Sequence, residues 1–475
     1  MDSGQKKTIK NIIGVAISNI TSIIAGIVIG FVIPKVTEVE GYGFFKTFTL
    51  YIAYTGIFSF GIIDGIVLDY GGVDYKEYIK PFFRSIFKWY LLVNLFCSLV
   101  LVAISFLFYD ENYRFITVMI AVYLLFCNVV GYFQQISQIT QRFREYSAIK
   151  IAQSGLKIFG GIILITVFFL TKELVDYRLC IILSTLGFVI VASVYLLIYK
   201  QIVFGEANSL SITRGHVIHF VKIGFPLLFA NLCSTLILTL DRQFVNLLFP
   251  NSEYAIYAFS YNLLALVTVA TSAISTVLYP LMKRTADDIL KKNYSSLISI
   301  ILVFVYCTLL AYFPLCAFIK WFLPKYTDSL VIFRVIFPGL AISSAITVIM
   351  HNYYKTLGDN LVYFKKSILI LLLSTAANGI AYCIFKTTVA ISVASIVTMI
   401  VWYLYVEQYF VVKYQYFRRK NLIYMLVMMG AFYGITGISN WLVSGLLYAV
   451  VFFGLTLLLQ KDALMQAKVL LQERQ

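Results

Sequence analysis

The chain has 475 residues, 61% of them hydrophobic and only 13% charged. Soluble domains carry about a quarter charged residues, so one large globular core is excluded. The net charge of +16 needs a topological reading before a nucleic-acid one.

Residues 11–34, 89–108 and 364–385 each reach the ~20 apolar residues that a membrane-crossing helix requires. A transmembrane barrel would alternate over segments of ~10 residues, and this chain does not. The expected fold class is an all-α polytopic membrane protein with about 14 transmembrane helices. The first, 11–33, follows the basic start MDSGQKKTIK. It is too long for the apolar stretch of a signal peptide and reads as a retained span. Next come 42–68, 86–109, 115–138, 147–170 and 178–203. After a hydrophilic stretch the series resumes at 218–249, 253–280, 295–323, 329–350, 362–385 and 388–412. It closes with 421–440 and 442–460, a pair close enough to be one re-entrant hairpin. The tail from 460 to 475 reads as a short interfacial amphipathic helix.

Alternating loops test this count. Most of the 38 basic residues fall on one side, from Lys6, Lys7 and Lys10, through Arg142, Arg144, Lys150 and Lys157, to Lys461 and Lys468. Positive loops stay in the cytoplasm, so both termini are expected there. The same spread accounts for the net charge without a nucleic-acid partner.

Two segments recur at corresponding places. Pro34, a short loop and GYGFFKTF are matched by Pro250, a short loop and YAIYAFSY. QRFREYSAIK (141–150) is likewise matched by LGDNLVYFKK (357–366). Six spans separate the copies of each pair, so the halves share an orientation, as in transporters built from parallel repeats. The expected organisation is a six-helix bundle over 1–204, a linker over 205–216 and a second bundle over 217–412. Two added helices and the tail occupy 413–475.

Asn231, Thr235, Thr239, Arg242 and Asn246 recur at helical spacing on one face of the seventh span, with Asp241 one residue off it. Tyr257 and Tyr261 share a face of the eighth span, and Lys46 lies on a polar face of the second. Hydroxyls and amides commonly just join membrane helices. A mid-membrane charge costs at least ~2.5–3.5 kcal/mol and survives by pairing or by facing water. Asp241 and Arg242 are therefore either a structural pair or part of a hydrated cavity, and neighbours on a helix point ~100° apart. A guanidinium suits a phosphate-linked glycan because it offers several donors to phosphate oxygens. Asp64, Asp69 and Asp241 are candidate ion-coupling or gating acids.

The Pro-loop-GYG after span one, GIIDGIVLDYGG (61–72), QRFREYS after span four and IGFPLLFANL…LDRQF in span seven resemble the polysaccharide transporters of the MOP exporter superfamily. These are the Wzx-like O-antigen and capsule repeat-unit flippases. The resemblance implies two six-helix bundles in a V plus two further helices. It also implies alternating access in the bacterial cytoplasmic membrane and outward transfer of an undecaprenyl-pyrophosphate-linked oligosaccharide, with polysaccharide polymerase and chain-length machinery as partners. Span one, from Ile12 to Pro34, carries no charge where lipid II flippases of that superfamily have cavity arginines, which argues against a peptidoglycan precursor. Asp241 instead resembles the acids of cation-coupled drug exporters, and a small-molecule antiporter is the first alternative.

No phosphate-binding Gly-rich motif, zinc-protease motif or nucleophile elbow is present, so no catalytic residue, cofactor or ATP-driven step is expected. His216 and His219 have ligand-like spacing but no nearby Cys, so no metal is expected. Seven cysteines, Cys97, Cys127, Cys180, Cys233, Cys307, Cys316 and Cys383, lie in or beside apolar spans without a CxxC pair, and they read as packing residues. A membrane-embedded glycan polymerase is the second alternative, weakened by outer loops of only a few residues.

Overall fold

The structure is a computed structural model describing residues 3–71, 73, 75–283, 285–416 and 419–461. The described residues form helices and no strand. Beyond Lys461, the expected interfacial tail lies outside the described residues. Among the described residues, ten helices are long and apolar enough to cross a membrane, or up to twelve if two bent pairs each count as one span. The expected fourteen is larger. Its eighth member falls on the helix Asn251–Lys283 and its thirteenth on the 17-residue helix Arg419–Ile435, and neither is among those ten to twelve.

The chain divides into two compact units, 1–232 and 233–475. Unit 1 contains α1 (Ser3–Val36), α2 (Val39–Ile52), α3 (Ile62–Tyr70), α4 (Pro81–Phe108), α5 (Glu111–Ile139), α6 (Phe143–Thr171), α7 (Tyr177–Ile198) and the short α8 (Lys200–Val203). It also contains the first part of α9 (Leu210–Leu248), so the division falls inside that helix. Sequence places the connection at 205–216, yet residues 210–216 are the opening turns of α9.

Side chains of α4 hold this connection in place. Arg84 donates to the carbonyls of Gln201 and Glu206 at 2.9 Å each. Ser85 donates to Asn208 O at 2.6 Å and Trp89 to Leu210 O at 2.9 Å. Four carbonyls that a loose loop would give to water are thereby satisfied by protein.

Local chemistry fixes several helix ends. Pro81 opens α4 after an extended Lys80, where its missing N–H costs nothing. Asp110 and Asp176 cap α5 and α7 by accepting the N–H groups of Tyr113 and Arg178 at 3.2 and 2.8 Å. The second span breaks because Phe60 and Gly61 are both left-handed, with φ of 49° and 77°, and α3 leaves at 53° to the preceding segment. Gly61 also lies against the first half of α9. A Cβ on it would meet Phe225 N at 2.4 Å, and one on Gly224 would meet Gly61 O at 2.0 Å. GIIDG is thus a contact surface where only glycine lets two backbones approach.

In unit 1, α5 is the central element and carries the buried Asn128, Tyr132 and Phe133. Asn128 donates to Asn94 Oδ1 at 2.5 Å and Thr55 O at 3.2 Å, so its amide is satisfied without water. Phe133 stacks on Tyr195 and Tyr199.

Unit 2 continues with α10 (Asn251–Lys283), α11 (Asp287–Thr308), α12 (Tyr312–Phe322), α13 (Ser329–Ile336), α14 (Gly339–Ser344) and α15 (His351–Leu357). It ends with α16 (Asn360–Phe385), α17 (Thr388–Tyr414), α18 (Arg419–Ile435) and α19 (Trp441–Leu459). The stretch from Ser329 to Leu357 bends by 46° around Phe337 and Pro338, and a π-helical segment at Ala345–Met350 links α14 to α15. The last two helices are tied to α11 by a polar knot. Ser299 donates to Asn421 Oδ1 at 2.6 Å, Asn421 to Ser295 O at 3.0 Å, and Gln460 to Asn421 Oδ1 at 3.1 Å. The helices paired by the sequence repeat, α6 and α16, both end in a left-handed lysine, Lys172 and Lys386.

All seven cysteines are free thiols, and Cys180 and Cys233 are buried.

Candidate functional site

Asp241 and Arg242 follow one another on α9, and their side chains take different partners. Asp241 is 4% exposed. Its Oδ2 accepts the hydroxyl of Tyr257 at 2.7 Å and that of Tyr261. Its Oδ1 accepts the backbone N–H of Arg242 at 2.8 Å. The two tyrosines lie four residues apart on α10 and so reach the same carboxylate from one helix face. A carboxylate has about four lone-pair sites, and three are used by these donors. Beside it is a void of ≈ 10 Å³ whose lining includes Ser374, Ser395, Thr398 and Trp402, about the space of one water.

Arg242 is half-buried. Its Nη2 donates to Leu238 O at 3.0 Å, and its guanidinium lies over the Tyr261 ring, 4.4 Å from the centroid. Its Nε is buried with no hydrogen-bond partner, and none of the ion pairs among the described residues includes it. The divergence follows from helix geometry, because consecutive residues face directions ~100° apart. The guanidinium therefore has one unused donor, while the neighbouring carboxylate takes its hydrogen bonds from tyrosines.

Other residues of the expected polar face do not share one environment. Thr239 and Asn246 are buried, Thr235 is half-buried and Asn231 is exposed. Thr239 returns its hydroxyl to Thr235 O at 2.8 Å, the ordinary fate of a threonine within a helix. Lys46, in unit 1, lies 5.4 Å from the Tyr42 ring centroid. Asp64 is half-buried in the first turn of α3, where the helix dipole favours an acid. Asp69, near the other end of α3, accepts from His219 Nε2 at 2.9 Å. His216 instead packs edge-on against Phe82, so the two histidines have different neighbours. No cluster of three or more potential metal ligands occurs among the described residues.

Two features escape sequence reasoning. Glu407 is fully buried on α17 and accepts the hydroxyls of Tyr403 at 2.9 Å and Tyr416 at 2.6 Å, a second carboxylate held by two tyrosines. Its only signal is Tyr403 four residues before it. Lys157, grouped with the loop cations by sequence, stands midway along α6. It lines a unit 1 cavity of ≈ 200 Å³ with Gln153, Tyr123 and Phe188. The positive-inside tally counts charges by loop and does not register how deep a lysine sits in the helix that follows.

Residues 8–286 match the family described as "Polysaccharide biosynthesis protein". A comparison with curated proteins finds no match. Among solved structures the chain is similar to "Lipid II flippase MurJ, inward closed conformation", at 14% identity and a TM-score of 0.72, covering 94% of this chain and 99% of that one. It is also similar to an inward-facing multidrug resistance MATE family transporter of the MOP superfamily, at 12% identity and a TM-score of 0.56, covering 83% and 95%. A MOP superfamily transporter from Pyrococcus furiosus, whose binding pocket is described as of reverse polarity, shares 12% identity at a TM-score of 0.50, covering 85% and 96%. The shared property is the fold, which is that of multi-pass membrane flippases and transporters.

Proposed function

Because the chain belongs to the polysaccharide biosynthesis protein family, we propose that it moves undecaprenyl-pyrophosphate-linked oligosaccharide repeat units outward across the bacterial cytoplasmic membrane by alternating access. Both termini are then cytoplasmic, and the product feeds O-antigen, capsule or exopolysaccharide assembly. One observation carries the reading. Arg242 has no ion-pair partner among the described residues and its Nε is unpartnered, while the Asp241 side chain is turned to Tyr257 and Tyr261. A guanidinium with a donor to spare recognises phosphate oxygens directionally. The short connections between helices, such as those after Phe108, Leu248 and Phe385, leave little room for an enzymatic outer domain and favour transport over polymerisation.

A deletion strain scored for lipid-linked repeat units tests this. Intermediates are expected to accumulate on the inner leaflet, and Arg242→Ala to restore export at least tenfold less well than the wild-type gene. Normal surface polysaccharide in the deletion strain would overturn the reading. Such a strain with altered drug sensitivity would favour a cation-coupled small-molecule antiporter. The buried Asp241, beside space for one water, supports that second reading, since an intramembrane carboxylate can carry a coupling cation.

A further inference from the structure

Unit 1 contains a cavity whose only charged lining residue, among the described residues, is Lys157. The ≈ 200 Å³ space is more than ten times what one water needs, so it can hold a multi-atom occupant or an ion with its waters. Glycines help to keep it open, because a Cβ added to Gly26 or Gly187 would meet nothing within 4 Å. Lys157 has no hydrogen-bond or ion-pair partner among the described residues, and neither has Gln153, four residues earlier on the same face of α6. The next cation along the helix, Lys150, is already occupied by Asn19 Oδ1 at 2.6 Å and the Tyr146 hydroxyl at 3.2 Å. Two of the hydroxyls at the cavity, those of Thr49 and Ser184, give their protons to helix carbonyls.

An ammonium and an amide thus offer up to five N–H donors to one space, with no carboxylate to receive them. A lone cation at this depth costs at least ~2.5–3.5 kcal/mol unless something compensates it. We infer that the unit 1 cavity is a binding site for a monovalent anion, held by the Lys157 ammonium and the Gln153 amide against the rings of Phe48, Tyr123 and Phe188. The charge balance selects the valence. One lysine neutralises one negative charge, whereas a divalent anion would leave a net charge in a low-dielectric space with too few donors to replace its hydration. Mostly apolar walls favour a weakly hydrated species, either a halide or a carboxylate on a small apolar body. The site is separate from Arg242 and stands whether or not the chain moves glycans.

The full-length protein in zwitterionic nanodiscs tests this by thermal unfolding at constant ionic strength. Sodium chloride or sodium butanoate replaces sodium gluconate, a hydrated polyol poorly matched to aromatic walls. The expected result is a saturable rise of a few °C in Tm with at least one of the two anions. A larger response to chloride assigns an inorganic ion, and a larger one to butanoate an organic carboxylate. Lys157→Met, which removes the charge, and Gly187→Leu, which fills the space, should both abolish the rise, and Lys157→Met should unfold no earlier than the wild type in gluconate. The inference is overturned by no response in the wild type or by a response that persists in Lys157→Met.

Discussion

The ring of Tyr261 lies beneath the Arg242 guanidinium, 4.4 Å from it, while the hydroxyl of the same tyrosine goes to the Asp241 carboxylate. One side chain therefore serves both charges of α9 and keeps them apart. Its two functions can be separated by mutation. Tyr261→Phe removes only the donor to Asp241 and should cost about 1.5–3 kcal/mol, the range for hydrogen bonds to charged groups. Tyr261→Ala also removes the ring and should be worse by at least ~0.5–1 kcal/mol, the worth of a cation–π contact. Denaturation of the two variants in the same detergent checks this, and equal stabilities would show the ring contact to be worthless.

Backbone proximity between α3 and α9 gives a sharper contrast. At Gly224 a Cβ would lie 2.0 Å from Gly61 O, and backbone cannot move aside as a side-chain tip can. Gly224→Ala should destabilise by ~1–3 kcal/mol or more. Gly430, inside α18, has open space around its Cβ position, so Gly430→Ala should be neutral or stabilise by up to ~1 kcal/mol. Parallel thermal scans distinguish the two, and similar shifts would contradict the close approach.

Asp69 and His219 join α3 to α9 with their side chains 35% and 54% exposed. Ion pairs this open are worth ~0–1 kcal/mol and weaken with salt. Asp69→Asn should therefore lower stability by under ~1 kcal/mol. If Asp69 belongs to a gate, export should fall in the same variant, so transport and melting curves measured together separate gating from folding.

Asp359, in the turn before α16, accepts from the Tyr409 hydroxyl and from Lys413 Nζ at 2.9 Å. These bonds hold its carboxyl below the usual carboxylate range. A carboxylate depressed on folding adds stability above its unfolded value of about 3.9 and loses it as pH falls through the lower folded one. Asp359→Asn should leave a protein less stable at neutral pH, with a shallower loss of stability below about pH 4. Unfolding midpoints of wild type and variant from pH 7 to pH 3 check this, and parallel curves would rule it out.

Span positions were legible because length and hydrophobicity follow directly from the bilayer. The break at Phe60 and Gly61 was not, since two left-handed residues in an apolar run leave no mark on composition. The 205–216 stretch reads as a linker by polarity, yet Leu210 onward is α9, because a serine just ahead of a helix also suits its entry. At the candidate site, Tyr257 and Tyr261 were legible as one helical face. That Asp241 would take both hydroxyls depends on how α9 and α10 pack. Ser374 and Trp402 are more than 100 residues from Asp241 in sequence, and only tertiary structure brings them beside it. Lys157 is the opposite case: its charge is plain in the sequence, and its depth along α6 is not.

The grip of Arg84, Ser85 and Trp89 on the stretch after α7 makes that crossing a splint and not a leash. Its span is set by fixed carbonyl anchors on α4, so extra residues spliced into 205–209 would strip those anchors before they lengthened anything. A reporter domain or protease site placed there would disturb the start of α9, although by composition alone this is the most inviting insertion point in the chain.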